Sequence, residues 1–421
     1  MKTPMLFIMI SCSLLSTFAQ SNDSLNSNYV NVYLDGVSNY EAYIKTEIPY
    51  VNYVRDRFAA DVHLMVISQT TGSGGRDYTL YFLGQNEFAG KNDTLHYFDN
   101  TNNTDEERRI GIVLYMKLGI MAYVAKKPGA IPVTITSNIA ASSSDKQEDD
   151  KWNGWVYSIS AYANVNLNSN YESYNISSNL SANKVTEEWK LGLNLGAYYN
   201  AETFDFGDGD TYESFNNGSY ASTTIVNSLN DHWSIGGEAN YNSSTFSNYD
   251  ANINISPAIE YDIFPYSSST TKLLTFFYKI GPEFSNYTDT TIFDKTDELL
   301  LRQRLDISLV LKQKWGSVSL GLNGSNYFHD LTKNSAGCFT SIEWSIFEGL
   351  TLNGFFTVDL VNDQLNLPKG ELSDEEILLQ LTERQTDYNF YTFFGLTYTF
   401  GSIYNNVVNP RFEGGNYSFY F

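Results

Sequence analysis

From Trp152 onward the chain alternates apolar and polar residues with a period of two, and that rhythm constrains its fold more than any other feature. Across LLLRQRLDISLVLK, the residues Leu299, Leu301, Leu305, Ile307, Leu309 and Leu311 fall on one face, broken only by Gln303. The other face carries Arg302, Arg304, Asp306 and Lys312. In WKLGLNLGAYY, the tryptophan, leucines, Ala197 and Tyr199 share one face, against Lys190, Gly192, Asn194, Gly196 and Tyr198. Successive strand side chains point to opposite faces, so these are two-sided strands. A soluble sandwich would bury the apolar face and wet the polar one, giving the same alternation. Three features favour a transmembrane barrel instead: strands of about 10 to 16 residues, short turns such as KQKWGS and IFEGLT alternating with longer polar loops, and aromatics recurring near strand ends.

Strand centres fall near residues 159, 176, 194, 220, 238, 256, 277, 305, 321, 342, 355 and 394. That even number places both ends of a barrel on the same side. The fourth strand is almost wholly polar, and Pro257 in the sixth is expected at a bulge, because a closed barrel has no free edge. Period-two parity puts Lys190, Glu238, Glu260, Lys279, Glu283, Arg302, Arg304, Asp306, Lys312, Glu343 and Asp359 on the inner face. Charges of both signs there can line a transport path or pair across a small interior and fill it. Filling is the favoured reading, with Arg302 and Arg304 meeting carboxylates such as Glu260, Glu283 or Glu343.

Residues 20–137 have another grammar. VNVYLDG reads as a strand, Ser38 and Glu41 form a capping-box signature, and Pro49 interrupts the helix that follows. ADVHLMVIS and YTLYFLG flank the glycine-rich TGSGG. No helix and no Lys-Ser or Lys-Thr pair follows those glycines, so they read as a hairpin and not as a phosphate cradle. A short strand, TLHYF, comes next. Thr104 and Glu107 cap a helix from Asp105 to Lys126 with Ile110, Val113, Leu114, Leu118, Met121 and Ala125 on one stripe, and IPVTITS supplies a last strand. With TLHYF counted as an additional short strand, this reads as a βαββαβ domain of about 110 residues, an ordinary domain size. Residues 138–151 are Ser- and Asp-rich without periodicity and read as a linker.

Residues 1–19 carry Lys2, an apolar run and a Thr17-Phe18-Ala19 end, the pattern of a secretory signal peptide. Lipoprotein cleavage before Cys12 is the weaker alternative, since Met9 and Ile10 are poor residues for it. Once the signal is removed only Cys338 remains, which excludes an internal disulfide. The net charge of -22 disfavours nucleic acid as a partner. His63, His96, His232 and His329 show no metal-ligand spacing, and no cofactor is expected. The acidic DFGDGDTYE lacks EF-hand spacing and reads as a solvated loop. His329 and Asp330 lack a flanking serine motif, so lipid hydrolysis is disfavoured. In the long loop Val361 to Asp387, Ser373 and Glu376 form a capping box before Ile377, Leu378 and Leu381, so a short helix there could fold over a barrel mouth, the alternative being a surface loop with no gating role.

The closing run FGLTYTFGSIYNNVVNPRF, with YDIFPYSSST and NDHW at earlier turns, resembles an uncharacterised family of Bacteroidota outer-membrane β-barrel proteins. EIPYVNYVRDRFAADVHLMVISQTTGSGGRDYTLYFLGQ is similar to that family's periplasmic domain. The domain's element order also resembles, in topology alone, small βαββα modules of periplasmic secretion and Tol-system proteins. The resemblance implies a signal peptide, a small periplasmic α/β domain and a barrel, with no catalytic residues to transfer. The expectation is therefore an α+β periplasmic domain followed by an all-β antiparallel barrel of about twelve strands at 152–411, with a C-terminal tail at 412–421. Its partners are outer-membrane lipid and a periplasmic protein, its oligomeric state is open, and it is not an enzyme: the domain docks a partner while the barrel anchors it or passes small polar solutes. The alternative is a barrel enzyme acting on lipid or glycan.

Overall fold

A computed structural model describes residues 28–71, 75–100, 103–127, 151–207, 210–370, 383–402, 404 and 406. The signal segment, most of the linker, IPVTITS, the helix expected at Ser373 and the tail lie outside the described residues.

The N-terminal domain runs β1 (Asn31–Asp35), α1 (Glu41–Glu47), β2 (Asn52–Tyr53), β3 (Val62–Thr70), β4 (Arg76–Gly84), β5 (Asn92–Asp99) and α2 (Asp105–Val124). Its sheet has the order β2-β1-β3-β4-β5, with β1 parallel to β2 and β3 and the remainder antiparallel. The glycine-rich segment joins β3 to β4 as a hairpin, with Thr70 opposite Arg76 and the Thr71 N–H donating to the Gly75 carbonyl at 2.9 Å. Two local expectations are corrected. Ser38 makes no capping box: the helical segment opens with a 3-10 turn at Ser38–Tyr40 lacking a side-chain cap, and Glu41 pairs with Lys45 at 2.6 Å. In place of the kink or two short helices expected at Pro49, α1 stops at Glu47, because the residue preceding proline, Ile48, is pushed out of the helical region.

Helix α2 is capped as read: the Glu107 N–H donates to Thr104 Oγ1 at 3.2 Å, and the Thr104 N–H donates to Glu107 Oε2 at 2.8 Å. The buried face differs from the expected stripe. Ile112, Val113, Met116, Gly119, Ile120, Tyr123 and Val124 are buried, while Ile110, Leu114 and Leu118 are about half exposed. Gly111 and Gly119 decide this rotation, because a Cβ on either would lie 2.1 Å from the ring of Tyr97 or Phe82. Only a glycine face lets the helix lie against those aromatics. Tyr123 then donates its hydroxyl to the Phe82 and Lys91 carbonyls at 3.0 and 2.8 Å.

The second sheet holds β6 (Trp155–Leu167), β7 (Tyr171–Val185), β8 (Trp189–Gly207), β9 (Asp210–Ser228), β10 (Trp233–Ser244), β11 (Tyr249–Asp262), β12 (Lys272–Tyr287), β13 (Asp297–Gln313), β14 (Gly316–Tyr327), β15 (Asn334–Phe347), β16 (Leu350–Val361) and β17 (Tyr388–Tyr398). All twelve follow one another in sequence order, each antiparallel to its neighbours. No helix among the described residues is long and apolar enough to cross a membrane. The expected closure is not found: β6 pairs only with β7 and β17 only with β16, so the sheet is open. After Tyr398 the chain leaves the sheet for the N-terminal domain, where the Phe400 and Gly401 carbonyls accept from Arg55 at 3.0 Å each.

Pro257 sits at no bulge. It faces Gly237 in an unbroken register with β10, and Asn254↔Glu283 and Ala258↔Lys279 keep a single register with β12. The stretch between those two pairs contains both Pro257 and Pro282, which have no N–H to donate, so the ladder lapses there without inserting a residue. The register shifts that involve β11 fall instead at Asn242/Ser244 and Tyr249/Ala251.

Candidate functional site

The polar face of the large sheet gathers the charges that parity assigned to it, in three zones. In the middle, Lys279 bonds Glu238 across β11 at 2.7 Å. Arg304, directly opposite Lys279 in the ladder, is bidentate to Asp306 on its own strand at 2.7–3.0 Å. Each carboxylate thus offsets one of two facing cations.

The second zone lies toward the long loop after β16. Arg302 reaches Glu283 at 3.6 Å, Asp363 at 2.8 Å and Ser325 at 2.9 Å, and its guanidinium lies over the Tyr327 ring. Glu283, 7% exposed, also accepts from Tyr327 at 3.0 Å and Asn252 at 3.2 Å. The loop is drawn down here: Leu365, Asn366 and Leu367 are buried, and Asn248 donates to the Asn366 and Asp289 carbonyls at 2.8 and 2.9 Å. Pro368 bridges to Thr291, and Lys369 pairs with Asp294. The segment 362–370 therefore crosses from β16 to the β10–β11 and β12–β13 turns.

The third zone faces the N-terminal domain, whose second sheet face lies on this rim. His63 is fully buried there, its Nε2 2.9 Å from Asp35 and its ring meeting Tyr33 edge-on. Tyr81 bonds Thr270 at 2.9 Å, Arg57 donates to the Lys314 and Ser345 carbonyls, and the Gly349 N–H donates to Asp56 at 2.6 Å. A cavity of about 280 Å³ remains at this boundary, lined by Tyr33, Asp35 and Arg57 on one side and Lys312, Ser317 and Glu343 on the other. Burial, followed by the Asp35 charge, pushes the Tyr33 hydroxyl up to about 12, and burial lowers Arg57. Farther round the rim, Lys190, Glu238 and Glu260 line a recess of about 480 Å³.

The expected cross-face pairing is thus corrected in part. Arg302 meets Glu283 but Arg304 turns to Asp306, and neither meets Glu260 or Glu343. Lys190, Glu260, Lys312, Glu343 and Asp359 form no ion pair among the described residues, and Asp359 lies over Gly337 beside Asn323. Sequence reading missed Asp363, which sits past the end of a strand and carries no periodic signal. It also missed Asp262, although parity two residues beyond Glu260 points to it, and Tyr327, which the ladder register sets opposite Arg302. Gln303, the single polar break on the apolar face, is satisfied by Tyr278 at 2.7 Å and Asn326 at 3.0 Å.

No group of three or more His, Cys, Asp or Glu residues among the described ones is arranged to hold a metal ion. The acidic run expected as a loop instead falls on the ends of β8 and β9, where Asp205 is engaged by the Gly207 N–H at 2.8 Å. Asp330 is bonded by the Thr332 hydroxyl and N–H, which lower its pKa, and His329 beside it stands near the Tyr327 ring. No protein-family model matches the chain, and no curated protein matches it.

Proposed function

We propose that the chain is a non-enzymatic outer-membrane β-barrel protein of a Gram-negative cell, with its N-terminal domain in the periplasm. The observation that carries this reading is the exposed apolar face of the large sheet. Leu299, Leu301 and Leu305 are 69%, 41% and 42% exposed, and Ile235, Ile255 and Ile259 on other strands are similar. In water so large an apolar surface would be a liability, and a lipid bilayer covers it without cost. Trp189, Trp233, Trp344 and Tyr398 stand exposed at the strand ends nearest the domain, and Tyr174, Phe215 and Tyr388 at the opposite ends. Those positions suit the two aromatic girdles of an outer-membrane barrel.

Closure belongs to the same proposal. An unpaired backbone edge is too costly in hydrocarbon, and with an even strand number β6 and β17 run antiparallel, so they can join as the last ladder. The domain covers part of one mouth and the loop the other, so the protein rests closed: the barrel anchors the domain and passes small polar solutes only when a cover moves. The outward stripe of α2, Ile110, Leu114 and Leu118, is the surface offered to a periplasmic protein partner. The resemblance to a Bacteroidota barrel family points the same way. The test is electrophoresis in SDS with and without heating, paired with cysteines placed in turn along β17 against one at Ala161 in β6. A heat-dependent mobility shift and a cross-link at one register are expected. Neither would leave the sheet an open soluble one.

A further inference from the structure

The recess on the domain-side rim has a composition of its own. Its floor is made of small residues, Ser234, Gly236 and Ala258, which leave a hollow of about 480 Å³ between β8 and β12. Gly236 cannot be enlarged, since a Cβ would lie 2.1 Å from the Ile225 carbonyl oxygen. Above the floor stand Glu260 and Asp262, adjacent inward positions on β11 and so about 7 Å apart. Asp262 is 6% exposed and lines the hollow; its carboxylate has neither a hydrogen bond nor an ion pair among the described residues, and the His232 ring, 2.7 Å from the Asp262 carbonyl, is the basic group beside it. Glu260 likewise has no partner within ion-pair reach, and Glu187 and Asp231 add negative charge at the edge. Lys190 is the cation in the lining, while Glu238 is already neutralised by Lys279 at 2.7 Å. Phe277 and Tyr266 contribute aromatic surface.

A buried carboxylate without a partner is costly, and a cation arriving from solution removes that cost. The acids are not clustered as metal ligands, so a single hard ion does not satisfy them. Two negative charges in a row beside apolar and aromatic walls fit a chain with ammonium groups separated by methylenes. We propose that this recess binds linear aliphatic diamines and polyamines, with Glu260 and Asp262 taking the ammonium groups and Phe277 and Tyr266 the methylenes. The proposal deepens the reading of this face as a barrel lumen and rests on it.

The test is isothermal titration of the full chain in detergent micelles with cadaverine and spermidine, and with glutarate and calcium chloride as controls. Binding of both amines is expected, weakening several-fold between low and physiological salt, with no binding of glutarate. The Glu260→Gln/Asp262→Asn double variant should lose at least tenfold in affinity, and Lys190→Met should gain. Failure of the wild-type protein to bind either amine, calcium competing at equal concentration, or an unchanged double variant would overturn the assignment. Should the double variant not fold, the Lys190→Met gain and the glutarate contrast still decide. The heat-dependent gel shift is read on the same samples, so an amine-blind protein that still shifts sinks this inference alone, and one that does not shift sinks the barrel reading.

Discussion

The N-terminal domain and the twelve-stranded sheet use similar apolar residues to opposite ends. In the domain they converge: Val32, Ile44, Leu64, Leu80 and Phe82 are completely buried against one another beneath the helices. In the large sheet many leucines and isoleucines lie on the face opposite the charges and stay exposed, while Glu283, Ser285 and Ser325 on the polar face are among the buried residues. Under the proposed barrel reading, one region is built for water outside and the other for water inside. The same alternating strand serves either, and what differs is which face the surrounding medium must cover.

The largest effect expected is on the domain. Phe82→Ala removes a fully buried ring and should cost roughly 3 to 5 kcal/mol, exposing the domain to proteolysis at low urea. The unboiled mobility of the sheet should not change, and a sheet that fails together with the domain would show one cooperative unit. Next, Arg302→Ser leaves Glu283 buried without its cation and should cost about 3 kcal/mol, releasing the 362–370 segment held through Asp363. Planar-bilayer recordings should rise from near zero conductance in the native protein to measurable steps in the variant. Equal silence and equal stability in both would mean that the arginine latches nothing.

Leu305→Arg, on the apolar face, should cost roughly 2 to 4 kcal/mol for folding into lipid vesicles. An exposed leucine in water would tolerate the change, so an unaffected variant argues for a soluble sheet. The smallest effect is at the helix cap. Thr104→Ala should destabilise the domain by about 1 kcal/mol at neutral pH. Glu107, whose pKa is lowered by the Thr104 backbone N–H and then by its hydroxyl, contributes above the ordinary glutamate range and ceases to as pH falls through the lowered value. Wild type and variant should therefore converge in acid denaturation curves; a gap that widens in acid contradicts the cap.

Strand number, strand centres, the glycine hairpin and the Thr104 cap were all legible in the sequence, because each depends on residues close together in the chain. Alternation needs only neighbours two apart, and a capping box only three. The rest was decided between distant segments. Gly111 and Gly119 chose the buried face of α2 through two rings of the sheet, against the count of apolar residues. Arg302 found Asp363, which lies 61 residues along the chain in a loop that periodicity cannot register. The Asp56 carboxylate took a backbone N–H from Gly349, and β17 pairs with β16 alone among the described residues. Period and capping are properties of a short stretch of backbone, whereas a charge pairs with whatever carboxylate the fold carries within a few ångströms, and a helix rotates to whichever face its partner can approach.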